Sequence, residues 1–474
     1  MPVRRTSIFL FAIALMATML AVTGSSSAAP AASPAKPAAG ARVVGQPPSL
    51  YTIPPGSYFS YPNRGKAAKY AIRGKVLATI KSTWGGPRLA NGLPADGNGT
   101  IRIATWSFKD WAIARALVAA RNRGVSVQVV AARARNKPNA EWRYLKKQLG
   151  TRLTRPGQPS TVNRVSFARD CAGSCRGRGG TPHAKYFMFT NVGRYHVPNT
   201  VIQSSMNLTG MGYQGQWNQA EVSRSKEVYD HFFRIYSQTR IGVAVAAPHR
   251  TYVTSNGLVT DEFFPFHANR NTDPVMKFLN QVRCTNAGVG TPGNRTRIRI
   301  INYSIYGDRG VWIAKKLRGL WNAGCDIKMI YAVSSRPVIS ILRNGSGRGG
   351  IPLRQSVITN SKREIVKYNH SKWMTVSGNW KNQPGQYATM SGSANFSLFA
   401  FSGDEQIQTI ISRGQALRHN GAFNTTWSQG SSHAPGYGIK GSEGRMTEAA
   451  RIALIPNEPT WGKGIYKYLS PEGE

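Results

Sequence analysis

Two stretches of the chain share one hydrophobic rhythm. "TIRIATWSFKDWAIARALVAARNRGVSVQVVAA" runs from Thr100 to Ala132, and "RIRIINYSIYGDRGVWIAKKLRGLWNAGCDIKMIYA" from Arg297 to Ala332. Each opens with a β-branched apolar run, passes into apolar positions at helical spacing, ends that helix at Asn-x-Gly and closes with a second apolar run. Ile101 aligns with Ile298 at an offset of 197, whereas Leu117 with Leu317 and Gly124 with Gly324 are 200 apart. The difference is absorbed around "YGDRG". Both stretches read as strand–helix–strand units, whose strands run parallel through a right-handed crossover. The fold class expected is α/β: two duplicated halves, each a mixed β-sheet flanked by helices, sharing one active site at their interface.

The N-terminus breaks this rhythm. Arg4 and Arg5 precede the apolar run "IFLFAIALMATMLAV", Ile8 to Val22, and small residues follow. Such a segment reads as a secretory signal peptide, too short for a membrane span. It is expected at 1–31, with an Ala/Pro-rich linker at 32–60, an N-terminal half at 61–255 and a C-terminal half at 256–474. The mature protein is expected to be secreted, extracellular and monomeric. Export permits disulfides among the four cysteines. Cys171 and Cys175 in "CAGSC" are close enough to close a small loop, which leaves Cys284 with Cys325. The rival, metal ligation by scattered cysteines without a CxxC pair, has little to recommend it.

Polar signatures recur on the same scaffold. "TPHAKYFMFT" holds His183 and Lys185, and "NHSKWMTVSG" holds His370 and Lys372, at an offset of 187. Downstream come Ser205 and Asn207 in "QSSMNLTG", then Ser393 and Asn395 in "SGSANFSL", 188 apart. Acidic residues follow, Glu221 in "WNQAEV" and Glu405 in "SGDEQI". On a strand, residues i and i+2 share a face, so each His–Lys pair and each Ser–Asn pair points one way. Packed about a pseudo-twofold axis, two imidazoles, two ammoniums and two amides would converge. That set suits a phosphodiester: one His attacks phosphorus, the other protonates the leaving oxygen, and cations and amides bind the non-bridging oxygens. The carboxylates would fix the imidazole tautomers. No metal or other cofactor is needed. The remaining histidines, among them His231 and His419, show no repeat partner and read as surface or core residues. Trp106 and Tyr303, near strand C-terminal ends, read equally as pocket lining or as packing.

The doubled His-x-Lys, Ser-x-Asn and acidic pattern resembles the phospholipase D superfamily. The resemblance implies a phosphohistidine intermediate and two-step displacement, with His183 as nucleophile and His370 as general acid and base. It implies phosphate binding by Lys185, Lys372, Asn207 and Asn395; Ser205 and Ser393 are counted with the phosphate-binding residues, with packing or turn roles as their alternative. Glu221 and Glu405 would orient the histidines, each serving the opposite half. The usual Asp five residues after the lysine is replaced in both copies, by Thr190 and Ser377, which weakens the tie to the phospholipid-cleaving branch. Members acting on tyrosyl-DNA linkages also lack it.

Charge narrows the partners. With 62 Lys+Arg against 20 Asp+Glu, the net charge is +42, a field that draws nucleic acid, anionic lipid surfaces or other polyanions. Arg176 and Arg178 ahead of His183, like Lys362, Arg363 and Lys367 ahead of His370, read equally as solvated loops or as an anion-attracting rim. The activity expected is secreted, metal-independent phosphodiester hydrolysis of phospholipid head groups, with peripheral membrane contact. A secreted nuclease acting on DNA or RNA is the alternative, and a non-catalytic polyanion-binding protein the second.

Overall fold

A computed structural model describes residues 49–85, 99–153, 165–267, 269–288, 291–344, 347–359 and 365–428. The expected signal peptide and the start of the linker lie outside the described residues. Both strand–helix–strand units form as parallel pairs. Thr100–Thr105 lies beside Ser126–Ala132, Ile101 opposite Val127, with the helix Trp111–Asn122 between them. Arg297–Ile305 lies beside Asp326–Ser334, Ile298 opposite Ile327, with the helix Gly307–Asn322 between. Gly124 and Gly324 take φ values of +91° and +100°. Here the chain turns from helix to strand in the left-handed region that glycine tolerates.

Each His-x-Lys segment then adds an antiparallel strand to the first strand of its unit. Tyr186–Phe189 pairs with Thr100–Thr105 and Lys372–Trp380 with Arg297–Ile305. Further antiparallel strands, Thr200–Ser204 and Gln216–Ser223 in one half, Gln383–Gly392 and Gln406–Ile411 in the other, complete two mixed sheets. Among the described residues each sheet has nine strands. Apolar clusters under the helices form the cores. One is built on Ile101, Val127 and Leu117, and another on Ile298, Ile327 and Leu317.

The halves exchange strands, which moves two expected boundaries. The hairpin Arg250–Val253/Val259–Phe263 belongs to the second sheet through Gln406–Ile411. A break at 255/256 would therefore cut a hairpin, and the topological change falls after the helix Lys226–Thr239. In return, Ile365–Asn369 joins the first sheet, Tyr368 opposite Gln216. The linker also ends early. Gly56–Ser60 is a strand paired with Gln216–Ser223, placing Ser57 opposite Glu221. Disulfides link Cys171 to Cys175 and Cys284 to Cys325, with Cα separations of 5.3 and 4.5 Å. The second lies where Thr296 N–H donates to the Cys284 carbonyl and Asp326 begins the parallel partner strand, so it pins the N-terminal edge of that sheet.

Candidate active site

The strands that carry the repeated polar residues end at the same edge of the two sheets, and their side chains meet across the halves. His183 Nδ1 lies 2.6 Å from Glu405 Oε1, a contact from the first half to the second. His370 Nδ1 lies 3.1 Å from Asn218 Oδ1, the reciprocal contact. Gln406 Nε2 donates to the Lys185 carbonyl, and Gln219 Nε2 donates to the Lys372 and Gly392 carbonyls. Lys185 and Lys372 each donate from Nζ to the carbonyl of their own histidine, at 2.5 and 2.6 Å. An aromatic ring at or just past the C-terminal end of the first strand of each strand–helix–strand unit walls its histidine. Trp106 stands edge-on to His183 at 5.3 Å and Tyr303 lies 5.1 Å from His370. The lysine ammoniums lie over those same rings, at 5.7 and 4.9 Å.

The hydrogen bonds settle the tautomers. Asn218 Nδ2 donates to the Gly212 carbonyl at 2.7 Å, which leaves Oδ1 to accept from His370 Nδ1–H. The Glu405 carboxylate accepts from His183 Nδ1–H, so in both rings Nδ1 carries a proton. None of these side chains, nor Asn207 and Asn395, is more than 3% exposed. Burial, opposed by the Glu405 charge, pushes the His183 imidazole from 6.5 down to about 4, so it is neutral near neutrality. The Glu405 carboxyl is held below its ordinary range; burial would raise it, but His183 and Lys185 more than compensate. Burial, reinforced by the neighbouring Lys185, drives the Lys372 ammonium well below its usual value. Two buried ammoniums facing one carboxylate form a cage that an anion would relieve.

Several expectations need correction. Glu221 does not take the place assigned to it: Asn218 meets His370 Nδ1. Glu221 instead accepts from Ser391 Oγ at 3.2 Å and from Gln415 Nε2. Its Oε1 is 2.9 Å from His419 Nε2, an ion-pair distance off hydrogen-bond alignment. The register explains it. Asn218 and Gln219 stand 187 residues before Glu405 and Gln406, the offset of the histidines, whereas Glu221 to Glu405 is 184. Matching acid to acid missed an amide standing where the second copy has a carboxylate. The serines are also reassigned. Ser205 Oγ donates to Asn218 Oδ1 at 2.7 Å, and Ser393 Oγ contacts Glu405 and Gln406 Oε1. Their hydroxyl protons are spent on the groups that orient the histidines, so they position rather than bind phosphate.

His231 and His419, 188 apart, prove to be repeat partners on the helices Lys226–Thr239 and Arg413–Ser428. His231 meets Asp261 at 2.8 Å as His419 meets Glu221. Arg176 is fully buried rather than on a rim, bonding the Phe264 and Pro248 carbonyls and Gln238. Thr190 and Ser377 lie at the far edge of the sheets. Thr190 Oγ1 accepts from Thr100 N–H, and Ser377 sits opposite Arg297. The residues replacing the usual Asp therefore stand at the opposite end of their strands from the histidines.

Beyond the pattern, Arg309 was not anticipated. Fully buried, it forms an ion pair with buried Asp273 at 2.9 Å and donates to the Asn395 and Ser397 carbonyls. It thereby clamps the loop that carries Asn395.

The two-fold α/β scaffold, with paired histidines and lysines at its seam, resembles that of phospholipase D-like proteins. Residues 96–239 match the family model described as cardiolipin synthase, PLD-like domain. No curated protein matches the sequence. Among solved structures, phosphatidylserine synthase of Haemophilus influenzae Rd KW20 is 11% identical, with a TM-score of 0.51 over 84% of this chain and 92% of that one. Polyphosphate kinase from Porphyromonas gingivalis is 13% identical, with a TM-score of 0.50 over 87% of this chain; the chain spans 55% of that kinase. The chain thus resembles a PLD-like domain in sequence over residues 96–239 and these two structures in fold over most of its length. Members of that superfamily cleave or transfer phosphodiesters.

Proposed function

We propose that this chain is a metal-independent phosphodiesterase that hydrolyses phospholipid head-group esters through a phosphohistidine at His183. The observation that carries the reading is the unequal orientation of two otherwise equivalent histidines: His183 by a carboxylate, His370 by an amide. When His183 Nε2 bonds to phosphorus while Nδ1 keeps its proton, the ring becomes cationic, and only a carboxylate partner stabilises that charge. An amide partner leaves the His370 imidazolium readier to surrender its Nε2 proton.

In the first step His183 Nε2 attacks phosphorus, the bond to the head-group oxygen breaks, and that oxygen takes the Nε2 proton of His370. In the second step His370 Nε2 accepts a proton from water, the water oxygen bonds to phosphorus, and the nitrogen–phosphorus bond breaks. Lys185 and Lys372 supply positive charge to the non-bridging oxygens throughout. The family description matched by residues 96–239 supports a lipid substrate. The apolar N-terminal run and the two disulfides support export. A nuclease is the second reading, favoured by the net charge of +42.

The test is incubation of the protein, in EDTA, with phosphatidylcholine labelled in its head group and in parallel with plasmid DNA. Choline release that persists in EDTA is expected. Activity restored only by added metal would overturn the scheme, and DNA nicking without choline release would replace the substrate.

A further inference from the structure

We propose that Leu398 and Phe399 form a wedge that seats one lip of the active site in the surface of an anionic phospholipid bilayer. The inference rests on the phospholipid reading above and assigns a surface which that reading does not require. The two side chains are consecutive, and they are 43% and 47% exposed. They stand between Asn395 and Glu405, on the loop that links two residues of the site.

The wedge is held rigidly. Phe399 opens the short helix Phe399–Ser402, whose other aromatic, Phe401, is buried. Phe401 stacks on Phe264 at 6.0 Å, lies under the Arg309 guanidinium at 4.1 Å, and accepts from Phe266 N–H at its carbonyl. Arg309 also holds the Ser397 carbonyl. Beyond the helix, Asp404 N–H donates to the Thr181 carbonyl and His183 N–H donates to the Asp404 carbonyl. One end of the wedge is thus tied directly to the segment carrying the nucleophile.

The duplication supplies an internal control. At the offset of 188 that relates Asn207 to Asn395, the first half carries Gly210 and Met211 where the second carries Leu398 and Phe399. Met211 is only partly exposed and packs against the cluster of Tyr303, Val333 and Tyr368. The scaffold therefore closes this loop without two exposed large apolar side chains. Their presence in one copy calls for an apolar environment outside the chain.

Charge selects that environment. Exposed Arg178 lies in the turn packed against the wedge helix, where a Cβ on Gly180 would fall 2.0 Å from the Ser402 carbonyl oxygen. Two exposed apolar side chains beside an exposed cation, on a chain of net charge +42, suit an anionic lipid interface, where each nearby cation adds to binding.

The test compares wild type with the Leu398→Ser/Phe399→Ser double variant. Binding is read by co-sedimentation with vesicles of phosphatidylcholine containing phosphatidylglycerol. Turnover is read on bis(p-nitrophenyl) phosphate, a soluble diester. Loss of both apolar side chains should lower the vesicle partition coefficient by about tenfold or more, with turnover of the soluble diester within twofold or so of wild type. Unchanged sedimentation, or a wild type that does not sediment with these vesicles, would overturn the wedge. So would a dimeric wild type that the substitutions turn monomeric, since the wedge would then be buried in a second copy. Soluble turnover tests the catalytic reading separately, because it needs no bilayer.

Discussion

The decisive perturbation is Glu405→Gln, which keeps the shape of the side chain and an acceptor for His183 Nδ1 but removes its charge. The native contact is 2.6 Å and both partners are buried. As the phosphohistidine forms, a unit charge develops on the ring with its centre roughly 4 Å from the carboxylate. At an effective dielectric of about 20, that attraction is on the order of 4 kcal/mol. A neutral amide acceptor retains a bond worth about 1 kcal/mol. The difference, roughly 2–3 kcal/mol, corresponds to a loss of about 30- to 150-fold in the phosphorylation step. The assay is single-turnover p-nitrophenolate release from bis(p-nitrophenyl) phosphate, whose leaving group needs little protonation and so isolates the nucleophile. Glu221→Gln serves as the contrast. Its carboxylate faces His419 and Gln415, so the folded variant should keep the rate within about threefold. A Glu405→Gln rate within threefold or so of wild type, or equal losses in both variants, would refute the division of labour.

Three further outcomes follow from the same geometry. His183→Ala should abolish turnover of every substrate, whereas His370→Ala should still release p-nitrophenolate in a burst and then stall; a residual steady-state rate above about a tenth of wild type in either refutes the two-histidine scheme. With His183 held at about 4 rather than 6.5, the nucleophile stays neutral down to mildly acidic pH. The acid limb of kcat/KM should then fall as pH drops through about 4, and a limb near 6.5 would show that the ring is not desolvated in the free enzyme. Asp273→Asn weakens the clamp through which Arg309 holds the Asn395 and Ser397 carbonyls. It should cost about 3–5 kcal/mol by urea unfolding, as breaking a buried pair does, and a cost under about 1 kcal/mol would show that the clamp is not structural.

Much of this site was readable from spacing because a strand holds its register. His183 with His370, Lys185 with Lys372 and Ser205 with Ser393 keep offsets of 187 or 188, and side chains two apart on a strand share a face. The same arithmetic, applied without regard to residue type, leads from Glu405 to Asn218 and from His419 to His231. What it does not reach is pairing between elements distant in sequence. Ile365–Asn369 joins the first sheet through only two residue pairs, Tyr368 with Gln216 and Asn369 with Trp217, and no local pattern chooses that edge over the other. Gly56–Ser60 is a short strand whose alternation is masked by Ser57 and Ser60, both buried by tertiary contacts. Propensity is a weak guide where burial is decided from far away. The serine roles were hidden for a related reason: a hydroxyl two residues from a buried side-chain amide looks like a ligand until its proton is seen to be committed elsewhere.

The two copies stay alike where they build and differ where they act. His231 and His419, on equivalent helices, each face a buried carboxylate, Asp261 through Nδ1 and Glu221 through Nε2. At the chemical level the copies part: carboxylate at one histidine, amide at the other. At the lip they part again, Leu398 and Phe399 against Gly210 and Met211. The loop bearing the wedge continues into Asp404 and Glu405, which bond the His183 backbone and ring. The opposite loop runs through Gly212, whose carbonyl fixes the Asn218 amide at His370. In the proposed reaction His183 keeps the phosphatidyl group and His370 protonates the departing head group. On that proposal the lip that would enter the lipid adjoins the histidine that would hold the lipid-bearing fragment, and the polar product would leave toward the copy without a wedge. A symmetric site would have no reason to prefer either direction. In the proposed reaction the broken symmetry, at the ring and at the lip together, would give one fold a fixed sense of where each half of its substrate goes.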